Sequence, residues 1–105
     1  TTIERALQIW QILISAAHNR QVLTYEIVGK LTGLQPLGLA NSLNPILHYC
    51  ARNQLPMLPI LVVSKDTGQP GQGFPEGIDL DGERERVFAH NWFKMKPPTA
   101  DDFKA

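Results

Sequence analysis

The strongest constraint on the fold is a short stretch in which three residues begin, end and restart a helix. Thr24 can cap a first helical turn, because its hydroxyl can accept a backbone N–H two or three residues later. Gly33 suits the left-handed conformation that ends many helices. Pro36 suits the first turn of a following helix, where its missing N–H costs nothing. Two helices joined by such a tight turn form a helix-turn-helix candidate.

Apolar residues predict which face of this unit is buried, and a second proline predicts where a further helix begins. Ile27, Val28 and Leu31 form the predicted inward stripe of its first helix. The Asn44-Pro45 pair repeats the cap-and-proline signal, so a further helix is predicted to begin there. The whole helix-turn-helix region is expected to span residues 22–53.

An amphipathic helix is predicted over residues 1–20, ahead of this unit. Thr1 and Glu4 have the spacing of a capping box. Apolar residues then recur at three- and four-residue steps, as on one face of an α-helix. They are Ile3, Ala6, Leu7, Trp10, Leu13, Ile14 and Ala17. We therefore expect this segment to be a core helix.

The second half of the chain has a different character. Residues 60–63 form a largely β-branched run that is typical of a buried strand. Residues 65–73 are rich in glycine and proline, so no helix can contain them. The sequence predicts a strand and wing over 58–74, a helix over 81–92 and a tail over 93–105, which is extended and then forms at most one capped turn.

These segments predict a mainly α-helical single domain with a small β element, that is, a winged helix-turn-helix-like domain with a C-terminal helix and an extended tail. The 105 residues suffice for one core. No apolar window comes near the ~18 residues of a membrane span, so a membrane span is not expected, nor is a secretory signal. Cys50 is the single cysteine, so an internal disulfide is excluded and a cytoplasmic location is expected.

The order of these pieces resembles the winged-helix domain of the alkylguanine DNA alkyltransferases and the alkyltransferase-like proteins. The resemblance covers about residues 22–74. Its matching pieces are Thr24-Tyr25, Leu31-Thr32-Gly33, Pro36, Asn44-Pro45, Leu58-Pro59 before Ile60 to Val63, and Gly68 to Gly73. The resemblance implies a helix-turn-helix with a wing that docks on double-stranded DNA, with Tyr25 beside the phosphate backbone.

The departures from that family concern its chemistry. The Pro-Cys-His-Arg motif is absent, and Leu58-Pro59-Ile60-Leu61-Val62 stands in its place without a nucleophile or a histidine. The arginine that the family inserts into the duplex aligns with Leu39. Neither alkyl transfer nor base flipping by an arginine is therefore expected, and a non-enzymatic protein is predicted.

Other chemical sites are also not expected. His18, His48 and His90 are too far apart, without companion ligands, to predict a metal site. Cys50 is interpreted as a buried small hydrophobe, not a nucleophile. The acidic residues of 79–85 alternate with arginines and indicate a helix N-terminus with a solvated charged face. No catalytic residue, metal or cofactor is predicted.

Charge is balanced overall but not along the chain. Ten basic and ten acidic residues give a net charge of zero, which argues against a general polyanion binder. Residues 1–65 hold five basic and two acidic residues, a net +3, whereas residues 66–105 hold five basic and eight acidic, a net −3. Amides and hydroxyls can contact base edges, and cations can contact phosphates. The predicted DNA contacts are Tyr25, Lys30, Gln35, Asn41, Ser42, Arg52 and Lys65.

Two classes of function remain open. The first is a small regulatory or accessory protein of bacterial type that binds double-stranded DNA. The second is a protein-interaction module, such as an adaptor, an inhibitor or an immunity-type protein, because winged helices also serve as adaptors. An exposed Trp92-Phe93 patch in the acidic C-terminal third would favour a protein partner. A continuous positive face would favour DNA.

Overall fold

The elements of the fold were assigned in a computed structural model, which describes residues 1–71 and 73–105. Its α-helices are α1 (Thr2–His18), α2 (Tyr25–Thr32), α3 (Pro36–Arg52), α4 (Leu80–Ala89) and α5 (Ala100–Lys104). Two short 3-10 helices cover Leu58–Leu61 and Trp92–Lys94, and the strands are β1 (Leu23–Thr24) and β2 (Val62–Val63).

The described chain is mainly helical, with a small β element, as predicted. Strands β1 and β2 pair in parallel, with Leu23 opposite Val62 and Thr24 opposite Val63. Helices α1 and α3 share the largest helix–helix interface, and the 3-10 helix Leu58–Leu61 packs on both. The core therefore lies between α1, α3 and this buried turn.

The capping signals act as predicted. The Thr1 hydroxyl accepts the N–H of Glu4 at 3.2 Å, and the Thr1 amino group donates to the Glu4 carboxylate at 2.9 Å, which completes the capping box. The Thr24 hydroxyl accepts the N–H of Ile27 at 3.1 Å. Gly33 ends α2 with φ +75°, in the left-handed region that favours glycine. These are local interactions, so the sequence alone identifies them.

The predicted inward stripe of α2 is wrong for two of its three residues. Val28 is fully buried, whereas Ile27 is 46% and Leu31 is 64% exposed. A helix of eight residues buries one narrow row, and here that row contains Val28 and Thr32. Ile27 and Leu31 precede them by one position, about 100° around the helix, and this rotation leaves them outside.

The predicted start of a new helix at Asn44-Pro45 is also wrong, because α3 continues through Pro45 to Arg52. A proline here removes one hydrogen bond, to the carbonyl of Asn41. Asn41 is exposed, so water can satisfy that carbonyl. Leu43 and Ile46, on either side of the proline, are buried on one face, and their packing holds the helix together.

The predicted strand over residues 60–63 is strand only in its second half. Leu58–Leu61 forms the 3-10 helix, which begins with Pro59 in its first turn, and only Val62–Val63 is strand. Pro59 has the φ of a helical turn, and the partner strand β1 is only two residues long, because α2 begins at Tyr25. Burial of this segment is as predicted.

A tight loop follows β2 at the position of the predicted wing. Ser64 N–H donates to the carbonyl of Gln69 at 2.9 Å, and Gly68 N–H donates to that of Ser64 at 2.8 Å. Val63 forms an antiparallel bridge with Pro70. We call residues 64–71 the Gly/Pro loop. Gln72 of the predicted wing lies outside the described residues.

An aromatic cluster connects the C-terminal elements to the core. Trp10 on α1 makes edge contacts with Trp92 at 5.5 Å and with Tyr49 at 5.6 Å between ring centroids. Phe103 of α5 packs edge-on to Tyr49 at 5.5 Å. Helix α5 is the single capped turn predicted for the tail, with Thr99 as its N-cap, and through Phe103 it contributes to the core.

Two predictions for residues 79–92 need correction. The first is the helix, which spans Leu80–Ala89 and not 81–92. Trp92 lies beyond it and donates its indole N–H to the Val87 carbonyl at 2.8 Å, so this carbonyl at the end of the helix has a partner.

The second is Glu83, which is buried and not solvated. Its carboxylate accepts a hydrogen bond from the N–H of Met57 at 2.8 Å and one from Arg86 at 2.7 Å.

Candidate nucleic-acid interface

The outer face of α3 presents a continuous stripe of exposed side chains, which we call the α3 stripe. Its members recur at steps of three or four residues, so they share one side of the helix. They are Leu37, Asn41, Asn44, His48 and Arg52. Because α3 is unbroken, the stripe extends for about 22 Å along the helix axis. It offers an apolar group, two amides, an imidazole and a guanidinium.

Charge on α3 is entirely of one sign. Residues 36–52 contain no aspartate or glutamate, and Arg52 is their basic residue. Arg52 donates to the backbone carbonyl of Asp102 at 2.6 Å. A carbonyl carries no net charge, so this bond positions the guanidinium without neutralising it.

A groove of about 580 Å³ opens at the other end of the α3 stripe, between α2, the turn and the Gly/Pro loop. Gln35 and Pro36 line it from the α3 side. Lys30 and Lys65 line it from α2 and the loop. Cations therefore lie near both ends of the α3 stripe.

The two lysines of the groove share one carboxylate. Lys30 Nζ lies 3.3 Å and Lys65 Nζ 3.4 Å from the oxygens of Glu26. Hydrogen bonds from Lys30 and then Lys65 lower the pKa of the Glu26 carboxyl below its usual value. These three side chains leave one positive charge, which the carboxylate of Asp66, also in the lining of the groove, balances. The three side chains are exposed, so a phosphate can approach them.

Besides the contact between Lys65 and Glu26, a backbone hydrogen bond holds the Gly/Pro loop against α2. Gly71 N–H donates to the Tyr25 hydroxyl at 3.0 Å. A Cβ at position 71 would lie 2.6 Å from that oxygen, so a larger residue there would displace the end of the Tyr25 side chain. Pro70 and Asn44 line the same small cavity, which places the loop beside the middle of the α3 stripe.

The structure separates the seven predicted contact residues into groups. Gln35, Lys30 and Lys65 surround the groove, and Asn41 lies on the α3 stripe. Arg52 is at the opposite end of α3, about 24 Å along the axis from Pro36. Tyr25 is half-buried, and its hydroxyl holds the loop.

The prediction of Ser42 as a DNA contact is wrong. It is 1% exposed, and its hydroxyl donates to the carbonyl of Gly38 at 2.9 Å. It follows Asn41 directly, and a step of one residue turns the side chain about 100° around the helix, into the core. Leu39, at the position of the family's inserted arginine, is also buried.

Three residues of the stripe were missed from the sequence: Leu37, Asn44 and His48. Asn44 and His48 continue the row of Asn41 at three- and four-residue steps, but the predicted helix boundary at Pro45 assigned them to another element. Their spacing could have predicted that they share a face with Asn41, but only if one helix contains all three residues.

The predicted protein-binding pair does not form an exposed patch. Trp92 is 3% exposed within the aromatic cluster, whereas Phe93 is 62% exposed. A partner can therefore contact Phe93 but not the Trp92 ring. The predicted contact through Trp92 is wrong because the ring is needed to cover Trp10.

The remaining reactive side chains fit structural roles. Cys50 is fully buried, and burial raises the pKa of its thiol to about 11. Among the described residues, no group of three or more histidines, cysteines or carboxylates is arranged to hold a metal ion. No helix in residues 1–71 or 73–105 is long and apolar enough to cross a membrane.

Comparisons of the chain with protein-family models, curated proteins and solved structures found no match.

Proposed function

We propose that this protein is a small non-catalytic protein of the cytoplasm that binds double-stranded DNA in a winged-helix manner. In this proposal α3 lies in the major groove, and the Gly/Pro loop lies beside it over the backbone. The observation that supports it best is the α3 stripe, a row of exposed and mostly polar side chains on a helix without acidic residues and with cations near both ends. A regulatory or accessory role fits such a protein.

The dimensions and the chemistry of the stripe agree with this docking. The major groove of B-DNA is wide enough for an α-helix, and its base edges present donors and acceptors in a pattern that amides can read. Asn41 and Asn44 supply those amides near the middle of the helix. Lys30 and Lys65 at one end and Arg52 at the other are placed to contact phosphates on either side.

The non-catalytic part of the proposal rests on the inaccessibility of the thiol. Cys50 is fully buried, and its raised pKa keeps it protonated at neutral pH. A nucleophilic cysteine needs a thiolate and access to its substrate, so Cys50 fits packing better than chemistry.

Fluorescence anisotropy with a labelled duplex at 50 and 200 mM salt tests the proposal. Three phosphate contacts give a slope of about −2.7 in the logarithms of affinity and salt, so affinity should fall about 40-fold between the two conditions. Lys30→Ala and Lys65→Ala should each reduce that slope by about 1. Arg5→Ala, on α1, is the matched control and should leave it unchanged. Absence of binding at 50 mM salt, or equal slopes for all variants, would contradict the proposal.

The second candidate function is a protein-interaction module. The exposed side chains of Ile27 and Leu31 form an apolar row on α2, and Val22 is 44% exposed just before β1. Exposed apolar groups of this kind are common at protein interfaces. A pull-down with wild type, Leu31→Glu and Leu37→Glu separates the two candidates. A partner that is lost only with Leu31→Glu would favour the interaction module.

A further inference from the structure

The groove between α2, the turn and the Gly/Pro loop has the size of a small-molecule site. Its volume of about 580 Å³ lies within the range of ~300–1,000 Å³ that such sites occupy. Leu34, Pro36 and Leu39 form its apolar side, and Leu39 belongs to the core. Gly29 and Gly33 line the groove with backbone only, so these positions place no side chain in it. An apolar group of a few carbon atoms can therefore lie here away from water.

The charged groups of the groove lie on two sides. The positive side is the cluster on α2, where the ammonium groups of Lys30 and Lys65 lie 3.3 and 3.4 Å from the Glu26 carboxylate and leave an excess of one positive charge. The negative side is Asp66, on the Gly/Pro loop. Its carboxylate forms no ion pair with any residue in 1–71 or 73–105. The groove is therefore neutral as a whole but carries separate positive and negative groups.

Both sides can form further hydrogen bonds with a ligand. An ammonium group has three N–H donors, so each lysine keeps donors beyond its contact with Glu26. The backbone N–H of Asp66 donates to the Ser64 hydroxyl at 3.2 Å, which fixes the turn that carries the carboxylate. A ligand carboxylate at the lysines and a ligand ammonium group at Asp66 would each form charge-assisted hydrogen bonds.

This charge pattern favours a molecule that carries both charges. A simple anion would pair with the lysines but would lie beside the Asp66 carboxylate, and a simple cation would meet the opposite conflict. A zwitterion pairs with both sides and leaves neither charge unmatched. The apolar side of the groove adds a place for a hydrocarbon group on the same molecule.

We infer that the groove binds a small zwitterion with an apolar body, the chemistry of a free amino acid with an apolar side chain. Its carboxylate pairs with Lys30 and Lys65, and its ammonium group pairs with Asp66. Its side chain lies on Leu34 and Pro36. This inference does not rest on the proposed function, because binding of such a molecule requires no duplex.

NMR titrations of the protein with four probes test the inference. L-leucine carries both charges and an apolar side chain, whereas isocaproate lacks the ammonium group, isoamylamine lacks the carboxylate and glycine lacks the side chain. Leucine at up to about 50 mM should shift the amide signals of Gly29, Gly33 and Ser64. It should bind about two- to fivefold more tightly than either singly charged probe. It should bind at least about tenfold more tightly than glycine, which buries no side chain.

Two substitutions separate the charges of the groove. Asp66→Asn should abolish the preference for leucine over isocaproate, because the ammonium group then has no carboxylate partner. Asp101→Asn, at an exposed aspartate on α5, is the matched control and should retain that preference. Lys30→Gln should weaken the binding of leucine and isocaproate alike, by about two- to fivefold, and should not weaken that of isoamylamine.

Three results would overturn the inference. They are the absence of shifts at the groove amides with leucine, equal binding of leucine and isocaproate, and a preference for leucine that persists in Asp66→Asn. Equal binding would identify a site for anions only. Duplex binding is measured separately by anisotropy, so the failure of this inference and the failure of the proposed function are distinguishable.

Discussion

Helices α1 and α3 have the same length of 17 residues and the same general design. Each buries one face in the common core and exposes a row of mostly polar side chains. The exposed row of α1 contains Glu4, Gln8, Gln11, Ser15 and His18. Amides and a histidine are therefore present on both helices, and they do not by themselves distinguish a binding surface.

The surroundings of the two rows are different. The row on α1 includes a carboxylate, Glu4, whereas α3 contains no acidic residue. The Gly/Pro loop and the lysines of the groove lie beside α3, and Arg52 ends its row. Charge and neighbouring elements, not the exposed amides, therefore distinguish α3 from α1 as the candidate interface. Equivalent substitutions can be made on the two helices, so α1 provides matched controls for α3.

Substitutions on the buried inner faces of α1 and α3 should destabilise the protein most, and Trp10→Ala should have the largest effect. Trp10 joins α1 to Tyr49 of α3 and to Trp92, so its removal should lower the free energy of unfolding by about 3–5 kcal/mol. Denaturant unfolding measures this change. Gln11→Ala, the neighbouring residue on the exposed row, should stay within about 0.5 kcal/mol. Comparable losses for the two variants would mean that α1 has no distinct inner face.

Cys50, on the buried inner face of α3, should make the free energy of unfolding depend on pH in the alkaline range. The Cys50 thiol has a pKa of about 11 in the folded protein against an ordinary value of 9.0, because burial disfavours the thiolate. The folded state therefore holds this proton longer than the unfolded state. Its contribution is fully present below pH 9 and is lost as the pH rises towards 11, by about 2–3 kcal/mol.

Denaturant unfolding from pH 8 to pH 11 of wild type and Cys50→Ala measures that contribution. The stability difference between the two proteins should change by about this amount over the interval, because the alanine variant has no thiol to ionise. Parallel pH curves for the two proteins would show that the thiol is accessible in the folded state, against its buried position.

The outer faces should differ in DNA binding. Asn44→Ala removes an amide from the α3 stripe and should raise the Kd for duplex DNA by about fivefold or more, whereas Gln11→Ala on α1 should not change it. Anisotropy titrations at one salt concentration, with circular dichroism to verify folding, measure both. Equal effects of the two variants would remove the distinction between the helices as binding surfaces.

The smallest expected effect concerns the Gly/Pro loop, which lies between α2 and the middle of the α3 stripe. Tyr25→Phe removes the acceptor of the Gly71 N–H and should cost about 1 kcal/mol. The Gly71 amide should then exchange its hydrogen about fivefold faster, which NMR can measure. Tyr49→Phe retains the aromatic contacts of that ring and is the control that should leave Gly71 unchanged. An unchanged Gly71 rate in Tyr25→Phe would mean that other contacts hold the loop.

Much of the local structure could be predicted from the sequence, and the candidate site less so. Asn41 and its neighbour Ser42 are both predicted DNA contacts, but Asn41 is exposed and Ser42 is buried. One residue corresponds to about 100° of rotation, so a contact on a helix can be assigned only when the buried face is known. The same rotation explains the exposed Ile27 and the buried Val28 on α2.

The sequence by itself determined the helix boundaries that depend on a few adjacent residues. The capping box at Thr1, the cap at Thr24 and the left-handed Gly33 involve hydrogen bonds and backbone angles within a single turn. Only the tertiary structure decided that α3 continues through Pro45 and that Trp92 is buried. Both depend on packing against residues distant in the chain, and this packing can outweigh the cost of a lost helical hydrogen bond. The α3 stripe is a consequence of that continuity.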